Sequence, residues 1–410
     1  MRWAFSEVPI VKRLMRTRWL QFGLTACTLG VFVLAVLAGL FGTPAGNHNF
    51  GIVFVWIVWW ALLMLMQVPF LGRLWCGICP IPAPGEWLQR RTLVQPRPGG
   101  RLYTLHKKWP RFLKNIWAQN FGFLGVAFFS AVILTSQLVT GLVLLGFIVL
   151  SIITSVLFER RTFCRYLCPI GGFIGLYSQA APIEVRVKDQ AVCLSHKEKT
   201  CYTGSDEGYG CPWLNFPGAL EANTFCGMCT ECLKSCPKDN VAVYIRRPGA
   251  DLMQTQGHCL DEAYKGLIML GAAFAYSTVL IGPYGWLKAA ARAVGTPGWF
   301  AYAGGFLLLT LGIVPGIFWL CVHLGRVLSP LQSSDAAGAI VGRTKRTRSL
   351  FADYAAVLVP LGLAVWMAFT LSFALVNFSY AWPAETCPGS AKWTQCSLPG
   401  RPSSSTSAEC

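Results

Sequence analysis

Long apolar runs alternate along this chain with polar, arginine-bearing stretches. Seven runs, at roughly 18–41, 50–71, 117–135, 137–158, 265–282, 300–322 and 353–377, come near or above the ~20 residues that a helix needs to cross a bilayer. The first is longer than the apolar core of a cleavable leader and is followed at once by a second, so it reads as a retained anchor. Between the fourth and fifth runs the apolar pattern breaks. The pattern therefore divides the chain into a membrane region over 1–158, a polar insert over 159–264, a three-span membrane region over 265–377 and a tail over 378–410. The tail ends in Pro402-Ser-Ser-Ser-Thr-Ser and is expected to be disordered and external.

Composition agrees with a lipid solvent. Hydrophobic residues make up 54% of the chain and charged residues 13%, against about 25% charged in a soluble domain. Placed on a seven-span path, 31 of the 35 Lys and Arg fall on one side, and only Lys288, Arg292, Lys392 and Arg401 on the other. The excess of cations on inner loops predicts a bacterial inner-membrane protein with its N-terminus and polar insert cytoplasmic and its C-terminus periplasmic. Membrane lipid accounts for the basic balance, and with no recognition module in the sequence nucleic acid is not expected as a partner.

The first half repeats itself. The first two spans form a hairpin that returns at Arg73-Leu-Trp-Cys76-Gly-Ile-Cys79-Pro80-Ile, and the next two return at Arg161-Thr-Phe-Cys164-Arg-Tyr-Leu-Cys168-Pro169-Ile. The offset is 88 residues at the first cysteine and 89 at the second. Each copy sets two thiols where a helix leaves the membrane, close enough in sequence to grip one metal centre. Proline after the second thiol fixes the chain direction, and Gly171 and Gly172 allow backbone to approach a bulky inorganic core.

The insert holds Cys226-Gly-Met-Cys229-Thr-Glu-Cys232-Leu-Lys-Ser-Cys236-Pro237. This is the C-x2-C-x2-C-x3-C-P run of bacterial ferredoxins, in which the fourth cysteine ligates the other of two [4Fe–4S] clusters. A zinc site would need wider paired spacing, usually with histidine. By this logic Cys211, before Pro212, completes the first cluster with Cys226, Cys229 and Cys232. Cys193, Cys201 and Cys236 then hold the second, whose fourth ligand is either Cys259 or a thiol of the membrane-edge pairs. Cys76, Cys79, Cys164 and Cys168 are the candidate ligands of a third cluster. The expected fold is mostly α: a polytopic helical membrane protein with an inserted small α+β ferredoxin-like domain carrying two [4Fe–4S] clusters.

Other residues narrow the chemistry. The histidines are 48, 106, 196, 258 and 323, and only His323 lies near a span, so a haem held between helices is not expected. No paired carboxylates or nucleophile triad arrangement stands out. Cys27 and Cys321 read as apolar packing residues within spans. Cys387 and Cys396 could pair as a disulfide in an oxidising compartment or remain free thiols. Trp56, Trp59, Trp60, Trp75, Trp286 and Trp382 suit the aromatic belts of membrane interfaces; alternatively, such rings near Glu159, Arg160 and Arg161 could form a quinone pocket.

Residues 50–245 resemble the membrane polyferredoxins of the NosR/NapH type. Phe163 to Gly172 and Cys226 to Pro237 carry the resemblance; Trp75 to Pro80 departs from it by having two residues rather than three between its cysteines. The spans after residue 264 are similar to those of membrane iron–sulfur proteins linked to cyclic electron flow. The resemblance implies electron transfer between a cytoplasmic-side redox partner protein and the quinone pool. An alternative role is assembly of a metal centre or an oxidase elsewhere, with the clusters as reductant. A transporter is disfavoured because the spans carry almost no ionisable residues for a substrate path.

Overall fold

A computed structural model describes residues 2–44, 48–96, 102–253, 259–328 and 347–386. Six helices among them are long and apolar enough to cross a membrane: α1 (Arg18–Phe41), α2 (Phe50–Leu71), α4 (Gln137–Leu157), α5 (Leu260–Ile281), α6 (Pro297–Leu328) and α7 (Leu358–Phe378). Between α2 and α4 the expected third span is an interrupted helix, α3 (Trp117–Phe128), followed by a single turn, Ser130–Ile133. The break falls at Phe129, whose φ/ψ of −90°/8° lies outside the helical well. The expected last span, 353–377, is likewise divided: Thr347–Ala355 forms a separate helix before α7.

Sequence pattern explains the packing. α1 and α4 cross at Gly39 and Gly141, where a Cβ on Gly39 would stand 2.8 Å from the Cα of Gly141. Small residues let backbones approach in a medium where lipid is as apolar as leucine. α2 is wound mostly in wide π turns, over Val53–Trp59 and over Leu63–Leu71 with Pro69 inside the second, and that proline removes a backbone donor just before the cysteines that follow. Trp59, Trp60 and Trp75 do not form a belt. They turn inward, Trp59 against Trp75 at 5.2 Å and Trp60 against Trp366 of α7 at 6.1 Å between ring centroids. Cys27 and Cys321 lie on the outer surface of the bundle rather than in its packing.

One end of the bundle carries the polar insert. The strands β1 (Ile183–Val187) and β2 (Val241–Ile245) pair antiparallel, Ile183 opposite Ile245, and Trp3 adds a bridge to Ile245. Val185, Leu233, Val241, Val243 and Met228 make a small core beneath them. The N-terminal segment fastens the insert to the bundle. Arg16 pairs with Asp239 at 2.7 Å, and Arg18 grips both oxygens of Glu231 at 2.8 and 2.9 Å. On the same end, Asp261 at the head of α5 accepts from the Ile116 backbone N–H before α3 at 2.9 Å. The expected disulfide pair Cys387 and Cys396, the distal tail and His258 lie outside the described residues.

Candidate metal centre

Eleven of the twelve cysteines expected to act as ligands fall into three adjoining groups at this end. Cys76, Cys79, Cys164 and Cys168 form the first. The charge of Cys79 acts on Cys164, those of Cys76 and Cys168 act on Cys79, and that of Cys76 acts on Cys168. Cys76, Cys164 and Cys168 are buried within the main apolar core. Two short structures place them: a helix over Leu74–Ile78, and a π turn over Phe163–Leu167 followed by the helix Pro169–Tyr177. Cys168 caps the latter, its Sγ accepting from the Gly171 backbone N–H at 3.2 Å.

Cys211, Cys226, Cys229 and Cys232 form the second group, Cys232 feeling the other three. Cys193, Cys201 and Cys236 form the third. Backbone N–H groups again point at sulfur: Asn215 N–H to Cys211 at 3.5 Å and Asn240 N–H to Cys236 at 3.4 Å. Cys259 stands elsewhere. It is exposed at the start of α5, and the charges acting on it are those of Asp261 and Glu262.

The groups form a row. A Cβ on Gly77, between Cys76 and Cys79, would lie 3.4 Å from the Met228 carbonyl oxygen and 3.5 Å from the Cys229 Cα. The first group thus touches the second through glycine backbone. Cys201 lies close enough to Cys211 and Cys232 for their charges to interact, which brings the third group beside the second. Glycine also clears the sulfurs: a Cβ on Gly218 would come within 2.8 Å of Cys193 Sγ.

Burial, then mutual repulsion, drives these thiols upward. Cys168 and Cys201 are pushed up to about 11 and Cys229 to about 12, and Cys79 and Cys164 are also raised. Without a bound cation such thiols stay protonated at neutral pH; a metal centre supplies the positive charge that makes them thiolates. Among the described residues no three His, Cys, Asp or Glu side chains converge tightly enough to hold a single metal ion. The first and second groups, with four thiols each, fit the ligand count of a [4Fe–4S] cube; the third offers three.

Two buried arginines frame the first group; sequence reasoning placed Arg161 only beside the alternative quinone pocket and gave Arg73 no role. Arg161 clamps Glu86, Nη2 donating to Oε2 at 2.8 Å, and also donates to the carbonyl of Cys76. Burial opposes the charge of Glu86, but Arg161 and Arg90 outweigh it and hold the carboxyl below its usual range. Arg73 donates to the carbonyl of Thr224 in the insert and lies 4.2 Å over the ring of Trp213. Its Nε and Nη2 find no partner, and its charge reaches both Cys168 and Cys226. The available signal was the repeat itself, because each arginine sits three residues before the first cysteine of its copy. The alternative quinone pocket near Glu159, Arg160 and Arg161 would have to use side chains that are already engaged. Glu159 meets His106 at 2.9 Å, Arg160 donates to the carbonyls of Tyr202 and Cys211 at 2.6 Å each, and Arg161 is held as above.

The 4Fe-4S binding domain family model matches residues 52–110 and again 139–187, each segment taking in the second span of a hairpin and the cysteine pair that follows it. "Putative electron transport protein YccM" of Escherichia coli (strain K12) is 26% identical over 122 residues, covering 29% of this chain and 31% of that protein. The match therefore spans about a third of that relative's length. No solved structure matches the chain. Together with the six apolar helices, these findings make the chain a membrane protein with 4Fe-4S binding domains, and they fit the membrane polyferredoxin type.

Proposed function

We propose that this chain is a membrane-bound electron relay of the bacterial inner membrane. It would pass electrons between a redox partner protein on the cytoplasmic side and the quinone pool. The row of three cysteine groups carries this reading. One group lies in the core of the bundle, the next, within the polar insert, adjoins it through Gly77, and the third lies beside the second in the insert. When bound, [4Fe–4S] clusters supply one-electron steps whose potentials follow burial, charge and hydrogen bonds to sulfur.

The chain's own residues hold that row in place. Arg160 and Arg165 bind backbone carbonyls on either side of Pro212, at Cys211 and at Leu214, the latter at 2.7 Å. They fasten the second group to the end of the second hairpin. Buried guanidinium groups at positions 73 and 161 offset the negative charge that thiolate ligands bring into a low-dielectric site. The weak curated relative, whose printed name assigns it to electron transport, supports the same class of activity.

Iron and acid-labile sulfide analysis of the full chain, purified without oxygen, tests the relay. About twelve irons per chain are expected if three groups each hold a four-iron cluster, and about eight if only the two four-thiol groups do. Cys229→Ser should remove the signal of the second group in EPR. Colourless protein without sulfide would overturn the proposal.

A further inference from the structure

The third cysteine group does not fit the cube that the other two fit. A [4Fe–4S] cube takes one protein ligand at each of its irons, and this group supplies one too few. Its thiols are brought together by hydrogen bonds between segments rather than by close spacing along the chain. Cys193 sits in a short helix, Gln190–Ser195, capped by Asp189. The Asp189 backbone N–H donates to Asn240 Oδ1 at 2.9 Å, and Asn240 Nδ2 donates back to the Asp189 carbonyl at 2.6 Å. Asn240 also directs its backbone N–H to Cys236 Sγ at 3.4 Å. Cys201 sits in a single helical turn, Thr200–Thr203, where Thr200 Oγ1 donates to the carbonyl of Ser235 at 2.9 Å, one residue before Cys236. Cys236 is therefore tied on one side to the segment of Cys193 and on the other to that of Cys201.

The neighbours of these thiols do not complete the set. Beside Cys193, a Cβ on Gly218 would come within 2.8 Å of the Sγ and 2.7 Å of the Phe216 ring, and Lys199 Nζ lies 4.7 Å from the centre of that ring. A glycine, a phenyl ring and a protonated amine offer iron no lone pair. The Ser235 hydroxyl, next to Cys236, packs directly against Gly208, where a Cβ would overlap it. The charges acting on Cys193 are those of Cys236 and Lys199, and those acting on Cys201 come from thiols. Among the described residues the other thiols in reach, Cys211 and Cys232, belong to the second group. Cys259 stands at the head of α5 beside Asp261, whose carboxylate meets the Ile116 backbone.

We propose that the third group holds a three-iron cluster, [3Fe–4S], with Cys193, Cys201 and Cys236 each binding one iron. A cube without one corner keeps as many irons as this group has thiols. The second group, with a full set of thiols, keeps a complete cube. The two halves of the insert, which ferredoxin spacing alone treats alike, therefore carry different centres. The proposal rests on the relay reading in taking iron–sulfur clusters as bound; the type of the third centre follows from its ligand set.

EPR and iron analysis of the detergent-solubilised full chain, purified without oxygen, test it. An oxidised [3Fe–4S] core holds three ferric ions and has half-integer spin, so it gives an EPR signal; an oxidised [4Fe–4S] core pairs its spins and gives none. The oxidised protein should show a signal of about one spin per chain and contain about eleven irons. Cys201→Ala should abolish that signal and leave the reduced-state signals of the other two groups in place; a signal that survives would overturn the assignment. Cys259→Ser and His196→Ala should leave it unchanged, and its loss in either would identify a fourth ligand and overturn the proposal. Incubation with ferrous ion and a reductant separates a built three-iron site from a cube that has shed a labile iron. The signal should return in full on reoxidation. Its disappearance with uptake of another iron would overturn the proposal, as would about eight or twelve irons with an EPR-silent oxidised state, and both results leave the relay standing. Colourless protein without sulfide would overturn both readings.

Discussion

The two copies of the cysteine hairpin carry the same elements and use them differently. Copy one has Arg73 before Cys76 and, seven residues after Cys79, Glu86. Copy two has Arg161 before Cys164 and, seven residues after Cys168, Gly175. In the structure the copies exchange partners. Arg161 of copy two reaches into copy one and clamps Glu86. Arg73 of copy one lies over Gly175 of copy two, where a Cβ would stand 2.9 Å from Arg73 Nη1. One guanidinium thus finds a carboxylate within the membrane region. The other finds an open space through which it crosses to Thr224 and Trp213 of the insert. A duplicated unit has diverged at one slot, so that one arginine locks the hairpins together and the other faces the next cysteine group.

The largest effect should come from Glu86→Gln, which leaves Arg161 buried and unpaired. A loss of about 3–5 kcal/mol in unfolding free energy is expected at neutral pH. The Glu86 carboxyl is held below its usual range in the folded chain. Its contribution is therefore complete above the ordinary carboxylate pKa and is lost as pH falls through the lowered folded value. The gap between Glu86→Gln and the parent should close as pH drops below about 4, and denaturant melts across that range would show it. A gap independent of pH would break the asymmetry between the copies.

Gly175→Ala should come next, at about 1–3 kcal/mol. Its methyl meets Arg73 Nη1 and the Thr224 carbonyl oxygen, both 2.9 Å from an ideal Cβ. The same substitution at Gly125, where a Cβ meets nothing within 4 Å, serves as the control and should be near neutral. Equal melting temperatures for the two variants would show that the slot needs no glycine.

Arg73→Gln should cost less stability and change electronic behaviour more. Removing a buried cation near Cys168 and Cys226 favours the oxidised form, so the midpoint potentials of the first two groups should fall together in an EPR-monitored titration. A rise, or a shift confined to one group, would contradict the crossing role. The smallest effect is expected from Cys259→Ser. The thiol is exposed at the head of α5, apart from the three groups, and iron content should be unchanged within error. A loss of about four irons would instead make Cys259 the missing ligand of the third group.

Much of this architecture is legible in local pattern. Apolar runs of bilayer length mark α1, α2, α4, α5 and α6 within a few residues, because a helix in lipid must satisfy its own backbone. The expected third span is less legible: 117–135 is mostly apolar, yet the helix breaks at Phe129, since composition does not report backbone geometry. The run from Cys226 to Cys236 is readable because a cube constrains ligands that are near in sequence. Trp59, Trp60 and Trp75 were misleading. A belt and an internal aromatic wall require the same residue type, and only packing against α7 turns Trp60 inward.

The sequence alone determined that this chain lives in lipid, that it repeats a thiol-bearing hairpin, and that it carries a ferredoxin-type cysteine run. Each follows from residues close together along the chain, where length, spacing and residue type act directly. Tertiary structure decided which thiols gather in which group, how Arg73 and Arg161 exchange partners, and that an apolar cavity adjoins the first group. Those outcomes depend on segments 75 to 151 residues apart meeting at close gaps, several of them glycine-sized. Contact at that range is set by how whole helices pack, which no local pattern encodes.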